Sequence, residues 1–432
     1  MGKKVVFKAL TSSQSVLFPR NVSEMIGEKH PVRLVDKVVD GLDISVLLAQ
    51  YKGGGTSSYH PKMMLKVLFY CYLSNIYSCR KMERALQENI CLMWISGNST
   101  PDYRTINYFR SKRLKNIINH LFKEVVLMLV DLGCVSLDIQ YIDGTKIEAT
   151  SNRYTFVWRR SVETHKARLE EKIKGILMTI ENQIEAENKT EEQEELPPVV
   201  NSEVLKEKLA TINQKLQDAD KATKQALKKV EKEYIPKLAH YEKQLDIIGQ
   251  GRNSYSKTDP DATFMRLKDD HLQNGQLKPA YNAQISTENQ YITHLSVHQT
   301  AGDTTTLKPH LNDFKQQYGK QSKAVVTDAG YGSEENYQML EDEGIAAFVK
   351  DQYFHRDQKQ SVKEDPFMTS NLFYNEEKDF YVCPMGQKMQ KVKISKEKTS
   401  TDYEIEIHHY RAQRCQDCPL RGLCHKSKED RV

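Results

Sequence analysis

The chain has 432 residues, 39% of them apolar and 28% charged, with a net charge of +5. That length allows two or three domains around sizeable cores. The opening MGKKVVFKALTSSQ lacks an apolar signal-peptide core, and the runs at 125–130 and 67–73 fall far short of the ~20 residues that span a bilayer, so the composition argues against a membrane protein and for a cytoplasmic one.

Charge is spread unevenly. Residues 1–135 hold 19 Lys and Arg against 10 Asp and Glu, a surplus of +9 that leaves −4 for the remainder. A basic front end suggests a polyanion partner, although a lysine-rich solvated surface accounts for it equally well. In this part, 31–51 repeats apolar residues every three or four positions and reads as helix. A glycine break at 53–55 follows, then a helix over 60–78 opening on Pro61 and a second over 78–97 stopped by Gly97. A third runs from caps at Ser99 and Thr100 to Gly133. It carries Arg104, Asn107, Arg110, Lys112, Arg113 and Lys115, which fit the reading helix of a helix-turn-helix-like DNA binder. A plain helical bundle with a wet basic face is the other explanation. The cysteines Cys71, Cys79, Cys91 and Cys134 lie among apolar residues and read as buried thiols.

Residues 158–248 read as an inserted antiparallel helical hairpin. Leu205, Leu209, Ile212, Leu216, Leu227, Val230, Leu238, Tyr241, Leu245 and Ile248 mark one stripe, and Leu169, Ile173, Ile176, Ile180 and Ile184 another. The acidic linker 185–202, with Pro197 and Pro198, turns the chain back. Strand patterns then take over: two alternating runs over 277–300 around TENQ at 287–290, a helix over 304–319, a buried strand at 323–327, a helix at 333–344 capped by Ser333, and a strand at 345–350. Strand, helix, strand is a parallel βαβ unit, and ligands gather at the carboxyl ends of its strands.

Two apolar runs, at 138–149 and 324–333, reach an aspartate near a glycine: Asp143 before Gly144, and Asp328 before Gly330. Asp-Gly hairpin chemistry explains Asp143 with no further function. The alternative is that both carboxylates project from strand ends to hold magnesium, a hard cation that takes a few carboxylates and keeps waters and substrate phosphates. Spacing does not choose between them. Near the end, Cys383, Cys415, Cys418 and Cys424 supply four soft ligands that suit tetrahedral zinc, with His425 able to replace one. Arg411, Arg414, Arg421 and Lys426 nearby favour thiolates. Unmetallated cytosolic thiols remain the alternative.

The stretches YIDGTKIEATSNRYTFVWRRSV (141–162), SKTDPDATFMRLKDDHLQNGQLKPAYNAQI (256–285) and VVTDAGYGSEENYQMLEDEGI (325–345) together resemble bacterial insertion-sequence transposases of the DDE type. The resemblance extends from 30–43 to 415–424, in the branch with a helical N-terminal domain ahead of an RNase H-like core. It implies an α+β or α/β fold with a mixed sheet, and DNA strand cleavage and joining with Mg²⁺ or Mn²⁺. The first two acids carry over to Asp143 and Asp328, and the DNA partners are element ends and target. The expected organisation is a helical DNA-binding domain at 1–135, a core from 136–157 and 249–350, the inserted hairpin at 158–248 and a Cys-rich zinc segment at 351–432. A homodimer and no membrane are expected. The family's third acid is a glutamate on a late helix, within a Tyr–Arg–Glu–Lys pattern beyond the cysteines. Eight residues follow Cys424, and Glu334, Glu335 and Glu341 lie too early to match. The expectation is therefore a C-terminally truncated transposase that cuts poorly, with a non-catalytic DNA-binding remnant as the other reading.

Overall fold

The computed structural model describes residues 21–51, 57–188, 202–215, 221–267, 275–351, 353–399 and 401–432. The glycine break at 53–55, Leu216 and most of the acidic linker, with Pro197 and Pro198, lie outside the described residues. The chain divides into two compact units, Met1–Val135 and Ser136–Val432.

The first unit is helical: α1 (Pro31–Gly41), α2 (Ser45–Leu48), α3 (Pro61–Leu73), α4 (Cys79–Glu88), α5 (Ile90–Ile95), α6 (Tyr103–Tyr108) and α7 (Ile118–Asp131). Two His-Pro pairs start helices in the same way. Pro31 and Pro61 need no hydrogen-bond acceptor in the first turn, and the rings of His30 and His60 accept from Val32 N and Lys62 N. Leu47, Leu65, Met82, Leu92, Ile106 and Leu121 fill the core.

Three expected helices are broken. The helix expected over 31–51 divides at Leu42–Ile44. The one expected over 78–97 divides at Asn89, whose extended backbone ends α4 while its side chain caps α5 through Cys91 N and Leu92 N. The stretch to Gly133 starts at Asp102, not Ser99 or Thr100, because the Asp102 carboxylate accepts from Thr105 N at 2.7 Å. It then passes through a π-helical turn, Phe109–Arg113, before α7. Cys71 and Cys79 are buried, and burial pushes the Cys71 thiol up to about 12, whereas Cys91 and Cys134 are half-buried.

The second unit is built on a six-stranded mixed sheet. Its strands are β1 (Ile139–Glu148), β4 (Thr263–Arg266), β5 (Leu277–Glu288), β6 (Tyr291–His298), β7 (Ala324–Thr327) and β8 (Ala346–Val349), with β2 (Phe156–Trp158) and β3 (Ser254–Ser256) forming a separate ribbon. β1 is antiparallel to β5 and parallel to β7, and β7 is parallel to β8. β6 and β4 share the outer edge of β5. Asn289 and Gln290, both at positive φ, make the tight β5–β6 turn. Helices α12 (Leu307–Tyr318) and α13 (Glu334–Asp342) pack Leu307, Leu311 and Leu340 on Ile142 and Val325. This strand order, antiparallel on one side of β1 and parallel on the other, is the RNase H-like arrangement.

The ribbon β2–β3 fastens the two ends of the helical insertion together. Beyond it run α8 (Arg159–Asn188), α9 (Ser202–Lys215), α10 (Lys221–Lys229) and α11 (Ile235–Ile248). Three arms share one core: Leu169, Ile173 and Ile180 from α8, Leu205 and Leu209 from α9, and Leu227 and Leu238 from the return. Ser202 N donates to Glu242 at 3.0 Å, so α9 begins alongside α11 and adds a third arm to the expected pair. A four-stranded antiparallel sheet follows, of β9 (Phe373–Asn375), β10 (Phe380–Val382), β11 (Lys388–Lys398) and β12 (Glu404–Ala412).

The main core carries a polar chain. Gln140 donates to Ser322, Ser286 donates to Gln140, and Ser286 and Ser296 bond the two ring nitrogens of His310 at 2.7 and 2.6 Å. Burial holds His310 well below its ordinary pKa, and His294 and His298 below theirs, with Asp313 opposing the shift for the last two. His310 resists protonation in the fold, and His294 and His298 resist it less, while an unfolded histidine takes a proton near pH ~6.5. Stability from His310 is therefore complete above about pH 6.5 and is lost as pH falls below it, by up to about 1.4 kcal/mol per pH unit, with smaller losses from His294 and His298, whose shifts Asp313 opposes. Denaturant unfolding measured from pH ~7.5 down to ~5.5 should follow that decline, and His310→Gln should flatten it; an identical slope in the variant would move the effect to carboxylates.

Candidate active site

β1 runs unbroken through Asp143 and Gly144, which correct the expected hairpin turn: they pair with Ile285 and Gln284 on β5. The physical reason is that Gly144 serves a close approach and not a bend. A Cβ on Gly144 would stand 2.8 Å from both Asp303 Oδ1 and Gln284 Nε2. On its other edge β1 pairs with β7 in register, ending at Ile142 against Thr327. Asp143 and Asp328 follow directly on that last rung, where neighbouring strands lie about 4.8 Å apart. Both are exposed. Asp328 is extended, and its Oδ1 accepts from Gly330 N at 2.9 Å to cap the turn Ala329–Tyr331.

A third carboxylate, absent from the sequence reading, lies on the inner face of the same sheet. Asp303 precedes α12, and its Oδ1 accepts from Asn282 Nδ2 at 2.7 Å and Gln284 Nε2 at 3.1 Å. Its Oδ2 faces the other glycine: a Cβ on Gly330 would touch Asp328 Oδ1 at 3.0 Å and Asp303 Oδ2 at 3.7 Å. Asp303 thus stands near the Asp328 turn and on the Gly144 face of β1, whereas alternation along the strand turns Asp143 to the opposite face. Its surroundings are fully buried, with Asn282, Gln284 and Tyr331 at 0% exposure. The Tyr331 hydroxyl donates to Gln284 Oε1, which turns the amide so that Nε2 faces Asn282 Oδ1 and Asp303. Burial raises the Tyr331 pKa far above the ordinary phenol, and the charges of Asp303, Asp143 and Asp328 raise it further. One hydroxyl feels all three acids. No three His, Cys, Asp or Glu side chains among the described residues stand close enough to grip a metal ion as they are.

Separately, in the helical unit, α4 and α6 border a cleft lined by Arg80, Arg104, Asn107, Arg110 and Lys112, with Tyr103 and Tyr108. Arg80 and Arg104 stack on Tyr103 at 5.0 and 5.7 Å. The six residues of the sequence reading divide here. Arg104, Asn107, Lys112 and Lys115 are exposed. Arg110 donates to Tyr77 O, while Arg113 donates to Gln50 O and stacks on Tyr51 at 4.5 Å, so both brace the fold. Arg80 escaped the sequence reading because it opens a different helix.

In the C-terminal part, Cys383, Cys415, Cys418, Cys424 and His425 line one cavity beneath the four-stranded sheet. Cys383 opens a tight turn in which Cys383 N donates to Gln387 O and Gly386 N donates to Cys383 O. Arg431 donates from its backbone to Cys415 Sγ and from its guanidinium to Cys424 Sγ, each at 3.3 Å. Both ring nitrogens of His425 are buried without a hydrogen-bond partner.

Residues 20–112 match a transposase domain (DUF772), and residues 382–432 match a transposase DDE domain. No curated protein and no solved structure matches the chain. The three aspartates lie between the two matched stretches. Among the described residues no helix is long and apolar enough to cross a membrane.

The close approach at Gly144 has a measurable consequence. Gly144→Ala should destabilise the chain by about 1–3 kcal/mol, since backbone, Asp303 and Gln284 must all shift. Gly302→Ala, where a Cβ meets nothing within 4 Å, is the control and should change stability little. Equal denaturation midpoints for the two variants would remove the packing argument.

Proposed function

We propose, from the premise that this chain belongs to the DDE transposases of insertion sequences, that Asp143 and Asp328 carry its strand chemistry and its helical unit grips the element's terminal DNA. The family implies a DNA substrate and a dependence on divalent metal. The observation that carries the finer reading is the rung beyond Ile142 and Thr327, where two carboxylates start side by side at the carboxyl end of a parallel pair. Their oxygens are hard donors and exposed, which suits Mg²⁺ or Mn²⁺. When bound there, such an ion would supply charge stabilisation at the reacting phosphate. The carboxylates hold position because β1 is paired along both edges and Asp328 is pinned to Gly330 N.

DNA binding rests on a different set. Arg104 and Lys112, with Arg80 and Asn107, present donors to phosphates at the α4–α6 cleft, with exposed Lys115 beyond it, while Arg110 braces the cleft and Arg113 the neighbouring fold. DNA carrying the element's ends is the substrate to use. With Mg²⁺ this chain should nick it only slowly, as a site without the family's late glutamate would, and Asp143→Asn or Asp328→Asn should cut even that rate by up to about a thousand-fold, the several kcal/mol that metal-assisted charge stabilisation supplies. Both variants should still bind. Replacing Arg104, Lys112 and Lys115 by Ala should lower the salt slope of binding by roughly 2–3. Cleavage that persists in both aspartate variants would overturn the reading.

The four cysteines are proposed to hold a structural zinc. Four soft sulfurs line one cavity, and N–H groups of Arg431 point at two of them, as donors do around thiolates. Bound there, zinc would tie the Cys383 turn to the segment after β12. Elemental analysis should find about one zinc per chain, lost in the double variant Cys415→Ser, Cys418→Ser along with cooperative melting of this part. Unchanged metal content in that variant would place the ligands elsewhere.

A further inference from the structure

The ribbon that closes the helical insertion carries aromatic rings that packing leaves in the open. We propose that Tyr154, Phe156 and Trp158 form a stacking platform for unpaired bases of the DNA strand that passes the Asp143 site. The inference rests on the reading, given above, of DNA as the substrate and of Asp143 as a residue of the strand chemistry.

Three observations carry it. First, the rings are exposed, although phenylalanine is among the side chains most often buried. Tyr154 and Phe156 are 70% and 49% exposed, and Trp158 is half-buried. In β2 only Val157 turns inward, to pack with Val162, Ile248 and Tyr255, so alternation puts Phe156 and Trp158 together on the other side. Their ring centroids lie 6.2 Å apart, and both stand over the buried Phe264 of β4, at 5.9 and 6.0 Å. One aromatic layer is seated on another, and its outer side meets solvent.

Second, the platform lies on the face of the sheet to which Asp143 projects. Asp143 pairs with Ile285, Ile147 with Tyr281, and Phe264 with Pro279. Cross-strand partners share a face, and so do alternate residues along a strand. Asp143, Thr145, Ile147, Tyr281 and Phe264 therefore face one way, and the first three are exposed. Four residues of strand, about 14 Å, separate Asp143 from Ile147. Phe264 stands two residues further along β5, so an open track leads from the acid to the rings.

Third, the rings are set among cations and held in place. Arg153 stacks on Tyr154 at 5.2 Å. Arg160 shares a cleft with Trp158, Thr164 and His165, and Lys257 N donates to Thr155 O; both side chains are exposed. Among the described residues no acid pairs with Arg153, Arg160 or Lys257, whereas Arg159 is taken up by Glu163. Cations left without acids complement a phosphate backbone, and every base has a face that a ring can stack on. Asn152 pins the loop, since its Oδ1 accepts from Tyr154 N at 2.9 Å and its N donates to Thr258 Oγ1 at 3.0 Å. Rings fixed beforehand lose little freedom when a base stacks on them.

The test uses the full chain without metal, so that no cutting enters. Fluorescence anisotropy is read with a labelled single-stranded oligothymidylate and with a blunt duplex. Phe156→Leu should weaken binding of the single strand at least about five-fold, and Phe156→Tyr should keep the parental affinity. Blunt-duplex binding should stay within about two-fold in both. Leucine keeps apolar area and loses the ring, which separates stacking from plain burial. Should a variant fail to fold, the unaltered chain gives a second reading. An oligonucleotide carrying 5-bromouracil, when irradiated, should cross-link to peptides that contain residues 154–158. Parental single-strand affinity in Phe156→Leu overturns the proposal, as does an equal loss on single strand and duplex. Cross-links confined to residues 80–115 overturn it too. None of these outcomes touches Asp143 and Asp328, whose reading falls only if cleavage persists in their own variants.

Discussion

β1 is hydrogen-bonded along both edges, and the geometry of the site follows from that one constraint. Pairing with β5 on one side fixes the rung of Gly144 against Gln284, and pairing with β7 on the other fixes Ile142 against Thr327. A strand held on one edge can slip by a residue, and a slip turns every side chain to the opposite face. Held on two edges, with Ile142 packed on Leu307 and Leu311, β1 cannot slip without unmaking both ladders and the core. Asp143 therefore has a fixed origin. Asp328 inherits its own from the same register, one residue past the last paired rung.

The same strand explains why the supporting residues come from β5. Asn282 and Gln284 are two apart on β5 and point to one face, where both reach Asp303. Because β5 is antiparallel to β1, Gln284 lies opposite Gly144, and the missing side chain at 144 is the room that Asp303 enters. The polar chain through Gln140, Ser286 and His310 lies further along the same strands, with its partners supplied by β5, by α12 and by Ser322 ahead of β7. Burying these groups is tolerable only because each finds its partner, since an unpartnered buried polar group costs roughly 1–3 kcal/mol.

Much of this fold was legible in the sequence, and the failures have identifiable physical causes. The βαβ unit, the β5–β6 hairpin and the cap at Ser333 could be read because apolar periodicity and turn chemistry are local signals. The Asp143–Gly144 pair was read as a turn, and the structure corrects this. Asp-Gly spells a hairpin turn, but here the glycine permits close approach inside a strand, a tertiary demand that no local pattern reveals. The breaks at Asn89 and at Phe109–Arg113 were missed because amphipathic spacing runs straight across them. Asp303 left no trace at all. It lies in TAGDTTT, a polar stretch that reads as a loop, and only the folded sheet brings it between Gly144 and Gly330.

How an acid is held determines what it can do. Asp138 lies against Lys320 and Lys323, and Lys323 keeps its carboxyl below the usual carboxylate range, so its charge is already matched. Such a pair fastens a strand end but has little left for a third party. Asp303 is held by Asn282 and Gln284, which supply dipoles and no net charge. Tyr331 completes the contrast, because burial and three nearby carboxylates keep its hydroxyl protonated and so keep it a donor to Gln284. The negative charge that holds the tyrosine neutral is thus the charge whose supporting amides the tyrosine orients. A lysine in place of Gln284 would hold Asp303 more tightly and would also neutralise it. Neutral support leaves the carboxylate fixed in direction and undiminished in charge.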